Sequence, residues 1–330
     1  MKKLVLFSII FVFTVIIALN SQYGIEVYKL EKIVDANTNL NSKDINKIPV
    51  LMYHHISEDE SKLDSTTISP EKFKEEMLYL KVLGYNTIHF MDYIKYIFKK
   101  KSLPDNPIII TFDDGYLSNY VYAYPVLKQY DMKATIFIIG WSVGKKLNKD
   151  LMTPITEHFT WEQASEMYQS GLIEIQNHTY DLHNFAEDIN YGLGVAKLEK
   201  ETFEKYKNRL IADIAKLKTL ISQNLGSAIY AFSYPYGNYN EYAENILKDK
   251  GYRFTVTTQD GISDFSDSTY LIKRINMQRE QDSRSLISKL LIKQNKNDYL
   301  PYKNITDYKE RNQKLQRLYK IQKIYRSIRN

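Results

Sequence analysis

Ile108-Ile109-Ile110-Thr111-Phe112-Asp113-Asp114-Gly115-Tyr116 sets an apolar, β-branched run of strand length directly against two adjacent carboxylates and a glycine. Two neighbouring carboxylates at a strand end repel each other unless a cation or a proton intervenes. The glycine frees the backbone for a sharp turn that exposes both acids and the following amide. An ordinary Asp-Asp-Gly turn satisfies the same local pattern, so the segment acquires meaning only from what accompanies it.

Working outward, six further runs have strand character: 49–54, 134–139, 172–177, 229–233, 254–258 and 271–275. Each is short, β-branched or aromatic, and bounded by turn formers or polar clusters. Helices lie between them. Ser69-Pro70 opens one that Gly84 closes, and Thr160 with Gln163 has capping-box spacing before a helix ending at Gly171. Residues 195–222 read as one long amphipathic helix through Leu198, Phe203, Leu210, Ile214, Leu217 and Ile221, and Asn240 caps another that ends at Gly251. Strands alternating with helices predict an α/β fold of parallel strands with helical crossovers. Periodicity leaves a closed barrel and an open sheet both standing; in either, reactive residues belong at the carboxyl ends of the strands.

Three more segments meet that expectation. Glu174-Ile175-Gln176-Asn177-His178-Thr179-Tyr180-Asp181-Leu182-His183 places two of the chain's six histidines just beyond a strand. They are five apart, so a strand end and a loop, not one helix face, must bring them together. With one aspartate of the first segment they make a two-histidine, one-carboxylate set with positions open to water and substrate. Tyr53-His54-His55 ends the first strand, and an imidazole there has the right ordinary pKa to protonate a leaving amine; a structural histidine bonded to backbone is the bland reading. Ala231-Phe232-Ser233-Tyr234-Pro235-Tyr236-Gly237 is an aromatic strand end suited to lining a sugar groove or, as readily, to packing a turn.

Together, Thr111 to Gly115, His178-Thr179 to His183 and the Tyr-Pro-Tyr segment resemble the polysaccharide deacetylases of carbohydrate esterase family 4, with their NodB-like domain, over about residues 48–277. The resemblance implies a distorted (β/α) barrel with about seven strands and metal-dependent removal of N-acetyl groups from amino sugars. It implies Asp114, His178 and His183 as ligands of a divalent metal, zinc first, with cobalt or nickel as substitutes. It implies Asp113 as general base, the Tyr116 N–H as an oxyanion donor, and Tyr234, Pro235 and Tyr236 against substrate.

The chain departs from the common family pattern in three places. Its histidines are spaced by five instead of four, Ser233 stands where many members carry an arginine before the Pro-Tyr motif, and no histidine follows His183. These departures resemble the branch acting on poly-β-1,6-N-acetylglucosamine, in which the order is permuted and the acid histidine sits on the first strand. His54 fits that role better than His55, because successive strand residues face opposite sides. Lys273 and Arg274, at the end of the last strand, are the candidates to replace the missing arginine. The rivals are a peptidoglycan- or chitin-type β-1,4 deacetylase and a non-catalytic glycan-binding module, the latter opposed by the presence of all four of Asp113, Asp114, His178 and His183.

Composition narrows the setting. With no cysteine, disulfides, thiolate metal sites and thiol nucleophiles are excluded. The net charge of +6 is terminal: residues 301–330 hold nine Lys/Arg against Asp307 and Glu310, and Lys2 and Lys3 add two, which leaves residues 4–300 slightly acidic. A basic groove for nucleic acid is therefore not expected. Met1-Lys2-Lys3 precedes sixteen uncharged residues, Leu4 to Leu19, which read as an export signal or an uncleaved single-pass anchor with the rest of the chain outside. The expected organisation is anchor or signal 1–21, polar spacer 22–47, deacetylase domain 48–300 and a basic amphipathic tail 301–330 suited to an anionic surface or to packing on the barrel.

Overall fold

The computed structural model describes residues 46–186, 191–278 and 290. The anchor, nearly all of the spacer and the basic tail expected from the sequence lie outside them. Seven parallel strands form the frame: β1 (Val50–Tyr53), β2 (Pro107–Phe112), β3 (Ala134–Ile138), β4 (Ile173–Asn177), β5 (Ala231–Ser233), β6 (Phe254–Asp260) and β7 (Ile272–Asn276). They pair in the order β1-β7-β6-β5-β4-β3-β2, and β2 pairs back onto β1, so the sheet closes. This is a parallel (β/α) barrel. A two-residue strand, Asn86–Thr87, adds to the start of β2.

Closure is uneven. β4 and β5 share a single register pair, Asn177 with Phe232. The Gln176 side chain fills the gap: its Oε1 accepts the Tyr230 and Ala231 N–H groups, both at 3.0 Å, and its Nε2 donates to the Ala228 carbonyl at 3.2 Å. An amide thereby satisfies backbone groups that a longer strand would pair.

The helices are α1 (Pro70–Val82), α2 (Phe90–Lys99), α3 (Tyr124–Tyr130), α4 (Trp161–Gln169), α5 (Phe203–Leu225) and α6 (Glu241–Asp249). The expected caps form: Ser69 accepts the Lys72 N–H, Thr160 and Gln163 bond reciprocally, and Asn240 accepts the Ala243 N–H. One boundary differs from the sequence reading. The helix expected at 195–222 begins only at Phe203, because Thr202 caps it by accepting the Lys205 N–H, and Leu198, counted in its apolar stripe, is exposed. Glu201 holds the preceding turn by accepting the Leu198 N–H and pairing with Arg209.

The helix α2 closes the amino-terminal mouth of the barrel. Its Phe90 and Tyr93 share one buried cluster with Val50, Ile109, Phe137, Phe254 and Ile272 of the strands, with Phe90 against the Phe137 and Phe254 rings. That end is a dry apolar plug. The upper interior is polar, with Thr111, Thr135, Gln176, Ser233 and Arg274 all buried, and this gradient leads to the carboxyl-terminal face.

Candidate active site

Each reactive segment leaves its strand at that face: β1 ends at Tyr53 and His54 follows, β2 ends at Phe112 before Asp113 and Asp114, and β4 ends at Asn177 before His178. Asp114 and Gly115 take φ of 74° and 79°, the left-handed turn that carries the chain sharply away from β2. Glycine adopts this freely, whereas Asp114 does so at some cost in strain. Gly115 is also crowded, because a methyl on it would press Ile138 and Phe159.

Asp114 Oδ1 lies 3.4 Å from His178 Nε2 and 3.3 Å from His183 Nε2, and it is buried with no hydrogen-bond partner. A tetrahedral centre with bonds of about 2.0–2.1 Å has ligand–ligand edges of about 3.3–3.4 Å. His178 Nδ1 is 2.8 Å from the Ser233 carbonyl, which can only accept, so the proton sits on Nδ1 and Nε2 keeps its lone pair. A buried orphan oxygen facing two imidazoles is what a divalent cation would satisfy. The donor set fits the group the sequence implied.

The electrostatics agree. Burial pushes the Asp114 carboxyl up, but His183 and His178 outweigh it and hold it far below the usual carboxylate range. Burial, opposed by Asp114, brings His183 down to about 4, so its ring is neutral at working pH. Burial lowers His178 too, yet the Asp113 and Asp114 charges raise it on balance.

Asp113, 2 % exposed, points into the barrel against Arg274 from β7. The pair is bidentate: Arg274 Nη1 donates to Oδ1 at 2.8 Å and Nη2 to Oδ2 at 2.7 Å. The remaining guanidinium donors reach Thr111 Oγ1, Ser233 Oγ and the Thr257 carbonyl. Arg274 therefore spans β2, β5 and β6 with every N–H used. Burial would raise Asp113, but Arg274 first and His178 next overcome it and hold the carboxyl at about 2. Of the two candidates for the missing arginine, the structure selects Arg274; strand alternation turns Lys273 outward to solvent. Ser233, which occupies the common arginine position, instead donates its hydroxyl to Asp113 Oδ2 at 3.1 Å.

His54 Nε2 lies 3.9 Å from Asp113 Oδ2 across the same opening, with its ring partly exposed. His55 faces away and is tied to Ser118 Oγ through Nδ1 at 2.9 Å. The segment after the Asp-Asp-Gly turn holds both histidines, because Asn119 Nδ2 donates to the His54 carbonyl at 2.7 Å. Nothing in the residue spacing marks Asn119. Tyr116 bridges His158 in an antiparallel pair, with the hydrogen bonds made by their neighbours: Leu117 N–H to Glu157 and Phe159 N–H to Gly115. In that non-hydrogen-bonded position the Tyr116 N–H points away from the partner strand, and no acceptor for it is found among the described residues.

The aromatic turn is only partly as expected. Tyr234 is wholly buried; its hydroxyl donates to Glu244 Oε2 of α6 at 2.6 Å, and Pro235 is buried beside it. Neither lines the cleft. The strand's alternation sends Tyr234 into the layer beneath α6, where a phenol needs a partner and finds one. Tyr236 alone reaches the surface, at φ 57°, with its ring 4.4 Å from that of His183. Gly192 and Gly194 support this turn: a methyl on Gly192 would overlap the Tyr236 ring, and one on Gly194 would strike the Pro235 carbonyl.

With that geometry in place, the comparisons with known proteins are specific. The polysaccharide deacetylase family matches residues 100–255, which take in both aspartates, both histidines and the Tyr-Pro-Tyr turn but neither His54 nor Arg274. YxkH of Bacillus subtilis (strain 168), assigned by name to the polysaccharide deacetylases, is 33% identical over 231 residues, 70% of this chain and 71% of that protein. The chain belongs to the polysaccharide deacetylase family. As a deacetylase it is a hydrolase acting on amides, and it is 27% identical over 209 residues to the poly-β-1,6-N-acetyl-D-glucosamine N-deacetylase of Staphylococcus aureus, covering 63% of this chain and 67% of that one. Among solved structures it is similar to the de-N-acetylase from Aggregatibacter actinomycetemcomitans, with a TM-score of 0.64 and 26% identity over 73% of this chain and 98% of that one. It is likewise similar to IcaB from Ammonifex degensii, with a TM-score of 0.60 and 26% identity over 70% and 92%.

Proposed function

We propose that this deacetylase removes N-acetyl groups from poly-β-1,6-N-acetylglucosamine outside the cell, leaving free, cationic amines on the polymer and releasing acetate. The observation that carries the reading is the pairing of His54 from β1 with an Asp113 clamped by Arg274 from β7. Acid and clamp both come from strands flanking the family-matched core, in the permuted arrangement expected of this branch, and the relatives named for that polymer and for IcaB support it.

Asp114, His178 and His183 would hold the cation, with zinc the first choice. When bound there, it polarises the amide carbonyl and makes water a better nucleophile. Asp113, kept ionised by Arg274, takes the proton of the attacking water at a carboxylate oxygen. The Tyr116 N–H donates to the oxygen that gains charge as the carbonyl becomes tetrahedral. His54 Nε2 returns a proton to the sugar nitrogen as the carbon–nitrogen bond breaks. Tyr236 offers a face for a pyranose ring beside His183. The uncharged run Leu4 to Leu19 behind Lys2 and Lys3 supports export, either with retention at the outer face of the cell membrane or with release.

The test is acetate release by the purified full-length protein, with zinc, from β-1,6- and β-1,4-linked N-acetylglucosamine oligomers in parallel. Release from the β-1,6 series that a chelator abolishes is the expected result. Release confined to the β-1,4 series would overturn the substrate and keep the chemistry, and release from neither would favour a glycan-binding role.

A further inference from the structure

An aspartate interrupts the apolar stripe of α5. Between Leu210, Ile214 and Leu217, all buried, stands Asp213, 8 % exposed. A buried carboxylate is costly unless its lone pairs are used, and both oxygens here are. Oδ1 accepts the Tyr180 N–H and Oδ2 the Asp181 N–H, each at 2.7 Å. These two residues form the middle of the loop that carries the chain from His178 to His183.

The rest of that loop is pinned as well. His178 N–H donates to the Ile138 carbonyl, Thr179 N–H to Asn177 Oδ1, and Leu182 N–H to Thr179 Oγ1. The Thr179 and Tyr180 carbonyls accept from Gly140 and Trp141. Thr179 takes φ of 72° and turns the chain out of β4, so that Tyr180 and Asp181 present consecutive N–H groups to α5. Here the two adjacent donors go to separate oxygens, and of the isosteric pair only a carboxylate offers two accepting oxygens, since an amide would turn its NH2 toward one of the N–H groups. With the middle of the loop held against the helix, Leu182 is buried and His183 swings back to 3.3 Å from Asp114.

We propose that Asp213 is a positioning residue for His183. Its carboxylate is the anchor that lets a five-residue spacing, one longer than is common in the family, deliver the second imidazole to the cation site. This rests on reading Asp114, His178 and His183 as metal ligands and goes beyond it by assigning a function to a residue that touches none of them. In the isosteric Asp213→Asn one acceptor becomes a donor facing an N–H, so the loop loses one anchor and gains a repulsion while α5 keeps its shape.

The experiment measures zinc affinity of the full-length protein by competition with a chromogenic chelator, the visible absorption of the cobalt-loaded protein, and the melting temperature of the metal-free form. Asp213→Asn should bind zinc about 10- to 100-fold more weakly, the range found when groups orienting a ligand are lost, and its cobalt bands should shift. Zinc affinity and cobalt spectrum both unchanged, even with a lowered melting temperature, would reduce Asp213 to a packing role and overturn the proposal. A second measurement serves if the variant does not fold. In metal-free wild-type protein the Tyr180 and Asp181 amides should be strongly protected from hydrogen exchange, and free exchange there would equally overturn it. Failure of the metal reading itself would look different: wild-type protein and His178→Ala would then have the same zinc affinity.

Discussion

Replacing Arg274 with methionine removes one charge from the barrel interior, and its consequences can be worked from the geometry. Arg274 is fully buried and supplies both bonds of the bidentate pair with Asp113. In the wild type the Asp113 carboxyl sits at about 2 in place of its ordinary 3.8, although burial pushes it the other way. At 1.36 kcal/mol per pKa unit that net depression is about 2.5 kcal/mol, and the arginine's own share exceeds it because it first cancels the cost of burial. A group whose folded pKa is depressed contributes stability above the unfolded pKa and loses it as pH falls through the folded value, here between about 4 and 2. Without Arg274 only burial, Ser233 and the histidines act on Asp113, its pKa moves above 3.8, and the sign reverses. The metal-free Arg274→Met protein should then be less stable than wild type at pH 7 by about 3–5 kcal/mol, the cost of leaving one member of a buried pair alone. It should recover part of that loss toward pH 5, where the wild type has nothing to recover from this group. Acetate release should acquire an acid limb from Asp113 that the wild type lacks, so that kcat/KM falls more steeply between pH 7.5 and 5 than in wild type. Urea unfolding at a series of pH values and a pH–rate profile measure the two effects. A variant with wild-type slopes in both would refute the idea that Arg274 sets the charge state of Asp113.

Further substitutions separate the remaining roles. Asp113→Asn should abolish turnover while zinc stays bound, and His178→Ala should lose both, as read by acetate release and by metal content after dialysis; full activity in Asp113→Asn would end its assignment as base. Glu76 is wholly buried behind Tyr53, and burial, outweighing the Lys72 charge, raises its carboxyl to about 7. A raised pKa favours the folded state at low pH and costs stability as pH rises from 4.5 through 7, so Glu76→Gln should flatten that decline and raise the melting temperature at pH 8 but not at pH 4. Gly192→Ala should displace Tyr236 from His183, raising KM for oligomers more than it lowers kcat, with zinc affinity nearly unchanged.

How far the sequence discloses this molecule follows from which interactions are local. Strands and caps are local, and all seven strand runs appear in the barrel, as do the Ser69, Thr160 and Asn240 caps. Closure is not local: it depends on β1 meeting β2, whose partners are nearly sixty residues apart, and no periodicity reports that. The candidate ligands could be grouped from the sequence because Asp114 and His178 stand within two residues of a strand end and His183 follows on the same loop as His178. Tyr234 misled because its polar partner Glu244 lies on the next helix, and an aromatic strand end has the same pattern whether it faces a sugar or a carboxylate. Arg274 could be named but not distinguished from Lys273 until the phase of β7 was known. Asp213 left a signal that periodicity can detect, a charge inside an apolar helical stripe, although only the fold shows which amides it serves.

Asp113 and Asp114 are adjacent in sequence and identical in chemistry, yet the barrel makes them opposites. Asp113 spends both oxygens on an arginine brought from the last strand, so its charge is neutralised from within the protein and its basicity is kept low. Asp114 keeps a bare oxygen between two imidazoles, and its charge is left for something from outside. The turn at Asp114 and Gly115, with positive φ at both, performs the division by sending one carboxylate down the barrel axis and the other up to the rim. Exchanging the two roles would require the arginine to move to the rim, where water would screen it and its hold on a base would weaken. A clamp rooted on β7, inside the barrel, is therefore the arrangement that keeps a weak base ionised beside a site that must remain free to take a cation.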